Sequence, residues 1–338
     1  MRTAPSHIEY RGKEMKIGII GTGGISATVA PTLAAMQEIE CYAAASRSKE
    51  RAEAFAKTYG FEKAYGSYEE LVQDPAVELV YVATPHSHHF AHMMLALEHG
   101  KPVLCEKAFT VNAVQARQIR DFAAAKHLFA AEALWPRYMP SRKIIDRVLA
   151  SGIIGTPNIL TANLSYVISQ NRRLVDPQLA GGALLDVGVY GLDFMTMHFG
   201  TDIERIESAV RMTDTGVDGM ETITVFYRDG RMASLTHGIY SRSDRKGIIY
   251  GDKGYMVVEN INDPQSLSVF DTGDRLLEQH KFVHDVSGYA YEFAEAVRCI
   301  REGKTESTSM PLAESIRMME LMDQIRGQWG LVYPMEQE

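Results

Sequence analysis

The chain has 338 residues, more than one ordinary hydrophobic core accommodates, and this length predicts two domains. Acidic residues outnumber basic ones, 43 against 35, and the net charge of -8 argues against nucleic acid or an anionic membrane as the main partner. The first fourteen residues are polar and no apolar run approaches about 18 residues, so neither a signal peptide nor a membrane span is expected.

The start of the chain and its cysteines indicate the cellular setting. The segment MKIGIIGTGGIS, which begins at Met15, reads like a natural start, so residues 1–14 are expected to be an extension that contributes little to the fold. Cys41, Cys105 and Cys299 lie far apart and form no C-x-x-C pair. This cysteine usage predicts buried thiols in a reducing cytoplasm.

A short apolar strand, KIGII, runs directly into a glycine-rich turn and then into an alanine-rich helix. Glycine permits the tight turn and a close approach of backbone to a pyrophosphate, while the helix start offers free N–H groups and a positive dipole end. Glycine-rich loops also occur for purely structural reasons, so the flanking strand and helix carry the argument. The predicted contacts of this turn with a dinucleotide are Gly21, Gly23, Gly24 and Ile25.

The second predicted strand, CYAAAS, ends in Ser46 and Arg47, where an NAD-binding sheet places an acid for the ribose 2'-hydroxyl. A serine hydroxyl can donate to a 2'-phosphate and a guanidinium can pair with it. The alternative is that Arg47 merely begins a solvated helix. We predict NADP as the cofactor, with NAD the less favoured choice.

Strands and helices then alternate through ELVYVAT, HFAHMMLALEHG, PVLCE and NAVQARQIRDFAAAKH. This order predicts a parallel sheet with helices on both faces, an α/β Rossmann domain over residues 15–133. Ligands bind beyond the carboxyl ends of such strands. Five residues are therefore expected on the ligand-binding edge: Thr84, Pro85, His86, Glu106 and Lys107.

The stretch TPHSHHFAH carries four histidines, and their spacing permits a zinc site. No acidic residue lies between Leu79 and Glu98 to orient such ligands, so a cofactor-cleft or helix-cap role is favoured and no metal is predicted. His88 and His92 are expected to be solvated.

The second half of the chain changes to longer alternating runs: NILTANLSYVI, ITVFYRDGRMASLTHGIY and KGIIYGDKGYMVVE. These predict an α+β domain with an open, mainly antiparallel sheet over residues 134–338, whose C-terminal helices pack back on the first domain. Apolar residues Val225, Tyr227 and Leu235 alternate along its strands. We predict that they form an exposed face through which the chain makes a homodimer.

The segment GGALLDVGVYGLDFMTMHFG predicts an apolar helix that ends at Gly200. Asp186, Tyr190 and Asp193 lie at i, i+4 and i+7, on one face of this helix. Polar groups on that face are costly unless they line a cleft or find partners. A ligand cleft and a buried hydrogen-bonded network are equally favoured interpretations.

Five motifs resemble one known family: GIIGTGGIS, ATPHSHH, GKPVLCEKAF, EALWPRYMP and GGALLDVGVYGLD. Together they are similar to the glucose-fructose oxidoreductase, inositol dehydrogenase and rhizopine-catabolism family, and within it to the branch of dimeric dihydrodiol dehydrogenases and NADP-dependent xylose dehydrogenases. The resemblance extends from Met15 to Pro334. It implies a Rossmann domain and a second domain whose open sheet forms the subunit interface.

The resemblance also implies roles for single residues. Lys107 is expected to contact nicotinamide and the substrate hydroxyl, Tyr190 to be the acid-base residue, and Asp186 to contact substrate or the proton network. The remaining implied sites are a nicotinamide-ribose loop at Thr84, Pro85, His86 and His89, a further cofactor contact at Glu106, and substrate contacts at Trp135 and Arg137.

Hydride transfer requires a group that removes or supplies the hydroxyl proton of the substrate. We expect the ammonium of Lys107 to bring the pKa of Tyr190 down toward neutrality from about 10. Ala108 replaces the proline of the related Glu-Lys-Pro motif, and a cis bond before alanine costs roughly 2.5 to 4 kcal/mol, so a trans bond is expected.

The predicted function is an NADP(H)-dependent dehydrogenase or reductase that acts on a sugar, a polyol or a vicinal diol. The alternative is a dinucleotide-binding sensor of the same fold that does not turn over its ligand. The presence of both Lys107 and Tyr190 favours the enzyme.

Overall fold

The computed structural model describes residues 13–337, so the predicted extension lies almost entirely outside the described residues. The described chain forms a six-stranded sheet and an eight-stranded sheet. All strand pairs of the first sheet are parallel, and the second sheet is mainly antiparallel. The predicted fold class is confirmed, while the division of the chain at residue 134 stays a prediction.

The parallel sheet has the strand order β3-β2-β1-β4-β5-β6, which is the doubly wound order of dinucleotide-binding folds. Strands β4 and β5 are buried along their whole length, as expected for central parallel strands covered by helices on both faces. The strands are β1 (Met15–Ile20), β2 (Ile39–Ala45), β3 (Lys63–Tyr65), β4 (Leu79–Val82), β5 (Val103–Glu106) and β6 (Ala130–Ala133).

The helices of this half differ in how they begin. Ser48, Ser67 and Asn112 cap three of them, each through a side-chain oxygen that accepts a backbone N–H. The helices are α1 (Gly24–Ala35), α2 (Lys49–Tyr59), α3 (Tyr68–Gln73), α4 (His86–Glu98) and α5 (Ala113–Lys126). Within residues 13–337, no side chain caps α1 or α4, so their first N–H groups stay available at the ligand-binding edge.

The second half begins with helices and then builds the mixed sheet. Its helices are α6 (Pro140–Ala150), α7 (Arg172–Val175), α8 (Val189–Phe199), α9 (Ala290–Arg301) and α10 (Leu312–Trp329), with a π-helical turn over Leu184–Gly188 before α8. Its strands are β7 (Pro157–Ser165), β8 (Ile203–Met212), β9 (Asp218–Tyr227), β10 (Met232–Gly238), β11 (Gly247–Gly251), β12 (Gly254–Glu259), β13 (Ser266–Asp271) and β14 (Leu276–Lys281).

The order of the mixed sheet is β14-β13-β12-β11-β7-β10-β9-β8. Strands β7 and β10 pair in parallel, and the neighbouring pairs are antiparallel. Val225, Tyr227 and Leu235 are at most 1% exposed. The prediction that these three residues form the outer face was therefore wrong: alternation places them on the inner face, which α8 and α10 cover.

The outer face of the mixed sheet carries the residues between those positions. The strand register aligns one apolar residue from each of seven neighbouring strands in a row across the sheet. This outer row consists of Phe226, Met232, Ile159, Tyr250, Tyr255, Phe270 and Leu276. Ile159 and Leu276 are 48% and 49% exposed, so the sheet offers a continuous apolar stripe to solvent.

The two C-terminal helices tie the halves of the chain together. The Phe293 ring of α9 packs edge-on against Tyr81 of β4, with 5.0 Å between the ring centroids. Arg326 of α10 donates to the carbonyl oxygen of Val111 and pairs with Asp323 and Glu336. This packing holds the ligand-binding edge of the parallel sheet against the segment that carries Asp186 and Tyr190.

Candidate active site

A cleft of about 480 Å³ lies between the ligand-binding edge of the parallel sheet and the segment over the mixed sheet. Its walls come from the glycine turn, the start of α4, the end of β5 and the π-helical turn with the first residues of α8. The structure therefore brings the predicted dinucleotide edge and the predicted acid-base residues into one site.

The glycine turn has the geometry that a phosphate group requires. Gly21 has a φ of +98°, and a Cβ there would lie 2.8 Å from the carbonyl oxygen of Ala83. The hydroxyl of Ser26 donates to the carbonyl oxygen of Gly21 at 2.6 Å and so holds the turn closed. Within the described part of the chain, nothing lies within 4 Å of a Cβ built at Gly23 or Gly24. The uncapped start of α1 can thus accept a pyrophosphate.

Ser46 and Arg47 directly follow the end of β2. Ser46 is buried, and its N–H donates to the carbonyl oxygen of Tyr65. Arg47 is exposed and lies close enough to His92 to lower the pKa of that imidazole, after burial and two neighbouring histidines. The nearby acid, Glu50, accepts a hydrogen bond from Ser48 at 2.6 Å.

The two histidines of the predicted ribose loop are buried and hydrogen-bonded to backbone. His86 Nδ1–H donates to the carbonyl oxygen of Ala180 at 3.0 Å, which joins α4 to the loop before the π-helical turn. The two ring nitrogens of His89 each lie 2.8 Å from a carbonyl oxygen, that of Ala108 and that of Thr84. Burial lowers the pKa to about 3 for His86 and to about 4 for His89, while the carbonyl oxygens around His89 act in the opposite direction.

The prediction that His92 is solvated was wrong. Its Nδ1 lies 3.0 Å from the hydroxyl oxygen of Thr84, and its ring packs edge-on against Tyr68. The reason is that α4 begins at His86, so His92 lies on the side of α4 that contacts Tyr68 of α3 and Thr84. Among residues 13–337, the structure places no group of three or more His, Cys, Asp or Glu side chains where they could hold a metal ion.

The centre of the cleft is a buried carboxylate shared by two cations. Lys107 Nζ donates to the backbone oxygen of Asp186 at 2.6 Å and lies 3.3 Å from its Oδ1. Arg173 Nη1 donates to the same Oδ1 at 2.9 Å. Burial alone would raise the pKa of Asp186, but Lys107 and Arg173 hold it well below its usual range.

Tyr190 lies beside this cluster and keeps its proton. Its hydroxyl oxygen accepts from Trp135 Nε1 at 3.2 Å, and Trp135 stacks on Tyr289 at 4.3 Å. Burial raises the pKa of Tyr190 well above its usual value, and the carboxylate of Glu106 adds to the shift. The expected lowering by Lys107 is not found, because the ammonium pairs with Asp186 and faces the tyrosine ring, 5.0 Å from its centroid.

The remaining acid of the predicted face, Asp193, lies in the interior. Its carboxylate accepts from Arg137 Nε at 2.5 Å, and Arg137 also donates to Thr196. The prediction of Arg137 as a substrate contact therefore needs correction: its guanidinium is buried as the counter-ion of Asp193. Both predicted interpretations of this face, a ligand cleft and a buried network, therefore apply in part. Asp186 and Tyr190 face the cleft, while Asp193 belongs to a buried network.

The segment that carries Lys107 corrects a further prediction. The peptide bond between Lys107 and Ala108 is cis rather than trans. Ala108 is fully buried, its carbonyl oxygen lies 2.8 Å from His89 Nδ1, and the next N–H, that of Phe109, donates to Glu132 at 3.0 Å. The peptide bond thus has buried hydrogen-bonding groups on both of its sides. The general preference of peptide bonds for the trans form does not include such contacts.

Glu106 completes the predicted edge and is buried below the cleft. Tyr81 donates to its carboxylate at 2.5 Å, and the N–H of Lys107 donates to the other carboxylate oxygen. Burial raises the pKa of Glu106. Its contacts hold the end of β5 in place, so that Lys107 projects into the cleft.

Sequence reasoning missed Arg173 and Tyr289. Arg173 lies on α7, which spans only Arg172–Val175 and leaves no periodic pattern. A buried aspartate that also holds a lysine was the available signal, because a second donor often accompanies such a carboxylate. Tyr289 immediately precedes α9 and meets Trp135 only through the tertiary fold.

Comparison with known proteins gives two family matches along the chain. Residues 15–133 match the model described as "Oxidoreductase family, NAD-binding Rossmann fold". Residues 143–257 match the model of the GFO/IDH/MocA C-terminal domain. The two matches together cover most of the chain.

The similar proteins are dehydrogenases and a ketoreductase. The chain is 34% identical to trans-1,2-dihydrobenzene-1,2-diol dehydrogenase of Mus musculus, over 95% of this chain and 99% of the relative. It is 38% identical to D-xylose 1-dehydrogenase (NADP(+)) of Hypocrea jecorina, over 95% and 93% of the two chains. A solved structure of KijD10, a 3-ketoreductase from Actinomadura kijaniata in complex with NADP and TDP-benzene, is 25% identical with a TM-score of 0.86, over 93% and 98% of the two chains.

The shared carboxylate predicts a pH-dependent contribution to stability. Asp186→Asn should lower the free energy of unfolding at pH 7 by about 3 kcal/mol, because the largely buried Lys107 and the half-buried Arg173 lose their counter-ion. The pKa of Asp186 is depressed in the folded protein, so its contribution is present above the unfolded value of about 3.9 and is lost as the pH falls below it. Urea unfolding at pH 7 and at pH 3 should therefore show a gap between variant and wild type that narrows at pH 3.

The matched control is Asp202→Asn, because the carboxylate of Asp202 is 74% exposed in its pair with Arg228. It should change the free energy of unfolding by less than about 0.5 kcal/mol at either pH. If the difference in the free energy of unfolding between Asp186→Asn and wild type stays constant from pH 7 to pH 3, this would contradict the assignment of a negative charge to Asp186.

Proposed function

The chain belongs to the GFO/IDH/MocA oxidoreductase family, and we propose that it transfers a hydride between NADP and a carbon of a sugar, polyol or vicinal-diol substrate. The observation that carries the proposal is the cluster of Lys107, Asp186 and Tyr190 in the same cleft as an open glycine turn. A hydride transfer needs both parts, a dinucleotide edge and a proton carrier beside it.

The residues of the cleft fit the cofactor, because the uncapped start of α1 and the open space at Gly23 and Gly24 suit a pyrophosphate. When bound, NADP supplies the nicotinamide carbon that accepts or donates the hydride. In this proposal the other cofactor contacts are Ser46 and Arg47 at the 2'-phosphate and Thr84, Pro85, His86, Glu106 and Lys107 around the nicotinamide ribose. The prediction of His89 as a cofactor contact needs correction, because His89 is 1% exposed and both of its ring nitrogens lie at backbone carbonyl oxygens, so it supports the loop instead.

Tyr190 is the proposed acid-base residue. In the direction of reduction its hydroxyl donates a proton to the substrate oxygen, and in the direction of oxidation it takes that proton back. Its raised pKa means that the free protein holds the proton in place and is ready for reduction. The ammonium of Lys107, oriented by Asp186, stabilises negative charge on the substrate oxygen while the proton moves.

The substrate class is supported by the relatives and by the wall of the cleft. The two curated relatives are named for D-xylose and for a dihydrobenzene diol, and both compounds carry neighbouring hydroxyl groups on a ring or chain of carbon atoms. Trp135 and Tyr289 stack with an interplanar angle of 8° and line the cleft beside Tyr190. Such aromatic faces suit the apolar face of a small ring.

The second candidate, a sensor without turnover, would need the fold and the glycine turn but not the proton carrier. Tyr190 is buried at a cost, with its hydroxyl held by Trp135 in the cleft. That placement favours the enzyme.

The outer row supports a homodimer through the mixed sheet. Seven apolar residues align across neighbouring strands, and Tyr255 stacks on Phe270 within the row. A stripe of this length would be poorly hydrated in a monomer, whereas a second copy can cover it.

The free thiols of residues 13–337 support a cytoplasmic location, since Cys105 and Cys299 are buried and unpaired. In that same range, no helix is long and apolar enough to cross a membrane.

The first prediction from the proposed function concerns the proton carrier. Tyr190→Phe should lower kcat at least about 100-fold, because the reaction loses its acid-base group. The affinity for NADPH should stay within about twofold of wild type, because the phenyl ring still fills the same space. Stopped-flow turnover and quenching of protein fluorescence by NADPH measure the two quantities over a panel of aldoses, inositols and cyclic diols.

The control for that experiment is Tyr255→Phe, which removes a hydroxyl from the outer row and should leave kcat unchanged. Lys107→Met should affect both turnover and cofactor affinity. Normal turnover by Tyr190→Phe would remove the tyrosine from the mechanism.

The second prediction concerns the choice of cofactor. Arg47→Asp should lower kcat/KM for NADP at least about tenfold and raise the relative efficiency with NAD, because a carboxylate repels the 2'-phosphate and accepts from a 2'-hydroxyl. Steady-state assays with each cofactor test this, and Arg51→Asp on α2 is the control for a general change of charge. Equal efficiency with NAD and NADP in the wild-type protein would contradict the assignment.

The third prediction concerns assembly. Ile159→Glu should convert a dimer to a monomer at micromolar concentration, because a charge at the middle of the outer row cannot be buried without a partner. Sedimentation velocity measures the change. Val114→Glu, at a side chain that is 59% exposed on α5, should leave the dimer intact. A wild-type chain that sediments as a monomer would overturn the proposal.

A further inference from the structure

A carboxyl and an imidazole form a close pair beneath the segment that carries Asp186 and Tyr190. Glu221 on β9 and His237 on β10 are direct cross-strand neighbours on the inner face of the mixed sheet. Both side chains are 0% exposed, and Glu221 Oε1 lies 3.2 Å from His237 Nδ1. Neither residue lines the cleft or belongs to the site described above.

The pair reaches the overlying helix at two glycines. A Cβ at Gly188 would lie 2.7 Å from Glu221 Oε1, and a Cβ at Gly191 would lie 2.0 Å from His237 Nε2. Gly188 has an ordinary helical φ of -62°, so it is the room beside the pair, rather than backbone freedom, that requires glycine there. These two glycines lie two residues before and one residue after Tyr190.

A third polar group anchors the start of the same segment. Asp218, also on β9, accepts a hydrogen bond from the N–H of Leu184 at 2.5 Å. A Cβ at Gly182 would lie 2.1 Å from its other carboxylate oxygen. The sheet thus meets the segment through three buried polar side chains, and each of them lies against a glycine.

The pair is neutral as a unit at pH 7. Burial raises the pKa of Glu221 to about 8 and lowers that of His237 to about 3, so one proton stays on the carboxyl. The two side chains lie 3.2 Å apart, but within residues 13–337 neither their carboxyl oxygens nor their ring nitrogens have a hydrogen-bond partner. The other charged and titratable groups around the pair are Asp218 on β9, whose own pKa burial raises to about 7, Tyr333 in the C-terminal segment and Arg326 on α10.

Two apolar side chains of the same volume would fill this space at a lower desolvation cost. What this pair adds is a close contact with the helix, because Glu221 Oε1 and His237 Nε2 occupy the space where a Cβ would stand at Gly188 and Gly191. A packed apolar contact under a glycine permits small shifts of the helix. A paired contact on both sides of Tyr190 restricts them.

We propose that Glu221 and His237 are positioning residues, whose paired side chains set the depth at which Gly188 and Gly191, and with them Tyr190, lie above the sheet. The inference rests on the proposed function. A shift of the helix would move the tyrosine hydroxyl relative to Lys107 and the substrate, and misplacement by about 1 Å can cost about 100-fold in rate.

The first test separates positioning from general stability. Glu221→Ala should lower kcat at least about tenfold while the Kd for NADPH stays within about twofold, since the glycine turn is remote from the pair. Glu221→Gln keeps the shape of the side chain that meets Gly188, and should restore kcat to within about threefold of wild type.

The matched control is Leu267→Ala, which opens a buried site on β13 of the same sheet and should lower the melting temperature with kcat unchanged. Wild-type kcat in Glu221→Ala would overturn the proposal. So would an equal loss of kcat in Leu267→Ala at a similar melting temperature.

A second test uses the contact between Gly191 and His237 and needs no knowledge of the substrate. Gly191→Ala should lower the melting temperature of the wild-type chain, because the new methyl group meets the imidazole, and it should have little effect in a His237→Ala background. Additive changes in melting temperature would overturn the proposed contact. If this coupling is present but no panel substrate turns over in the wild type, the proposed function fails while the support for the helix stands.

Discussion

The site depends on one carboxylate, that of Asp186, which is buried and shared by Lys107 and Arg173. An unpaired charge at this depth would be strongly destabilising, so folding must bring the two cations and the acid together. They come from three places in the chain: the end of β5, the short helix α7 and the π-helical turn before α8. The cluster therefore forms only when both sheets are in place, and the cleft forms with it.

The inner face of the mixed sheet supports this cluster, and its outer face forms an apolar surface. Its inner face presents the Glu221–His237 pair and Asp218 to the segment that carries Asp186 and Tyr190. Its outer face presents the outer row to solvent. Because side chains alternate along each strand, the same strands serve both purposes.

Particular residues show where sequence reasoning reached its limit. The placement of Lys107, Asp186 and Tyr190 in one site was implied by the family resemblance, and in the structure all three line the same cleft. The predictions for Arg137, for His92 and for the inner-face residues of the mixed sheet were wrong. Each of these depended on which way a side chain points. That direction is set by where a helix starts or by which face of a sheet is covered, and a local pattern does not contain this information.

The sequence by itself determined the alternating α/β half, the antiparallel second half, the glycine turn and the absence of an acid at the end of β2, because these depend on neighbours in the chain. Only the tertiary structure decided that Arg173 pairs with Asp186, that Asp193 turns inward to Arg137, and that the pKa of Tyr190 rises. The physical reason is burial: desolvation and the choice of a charge partner depend on groups tens of residues away in the chain, which meet only when the two sheets pack together.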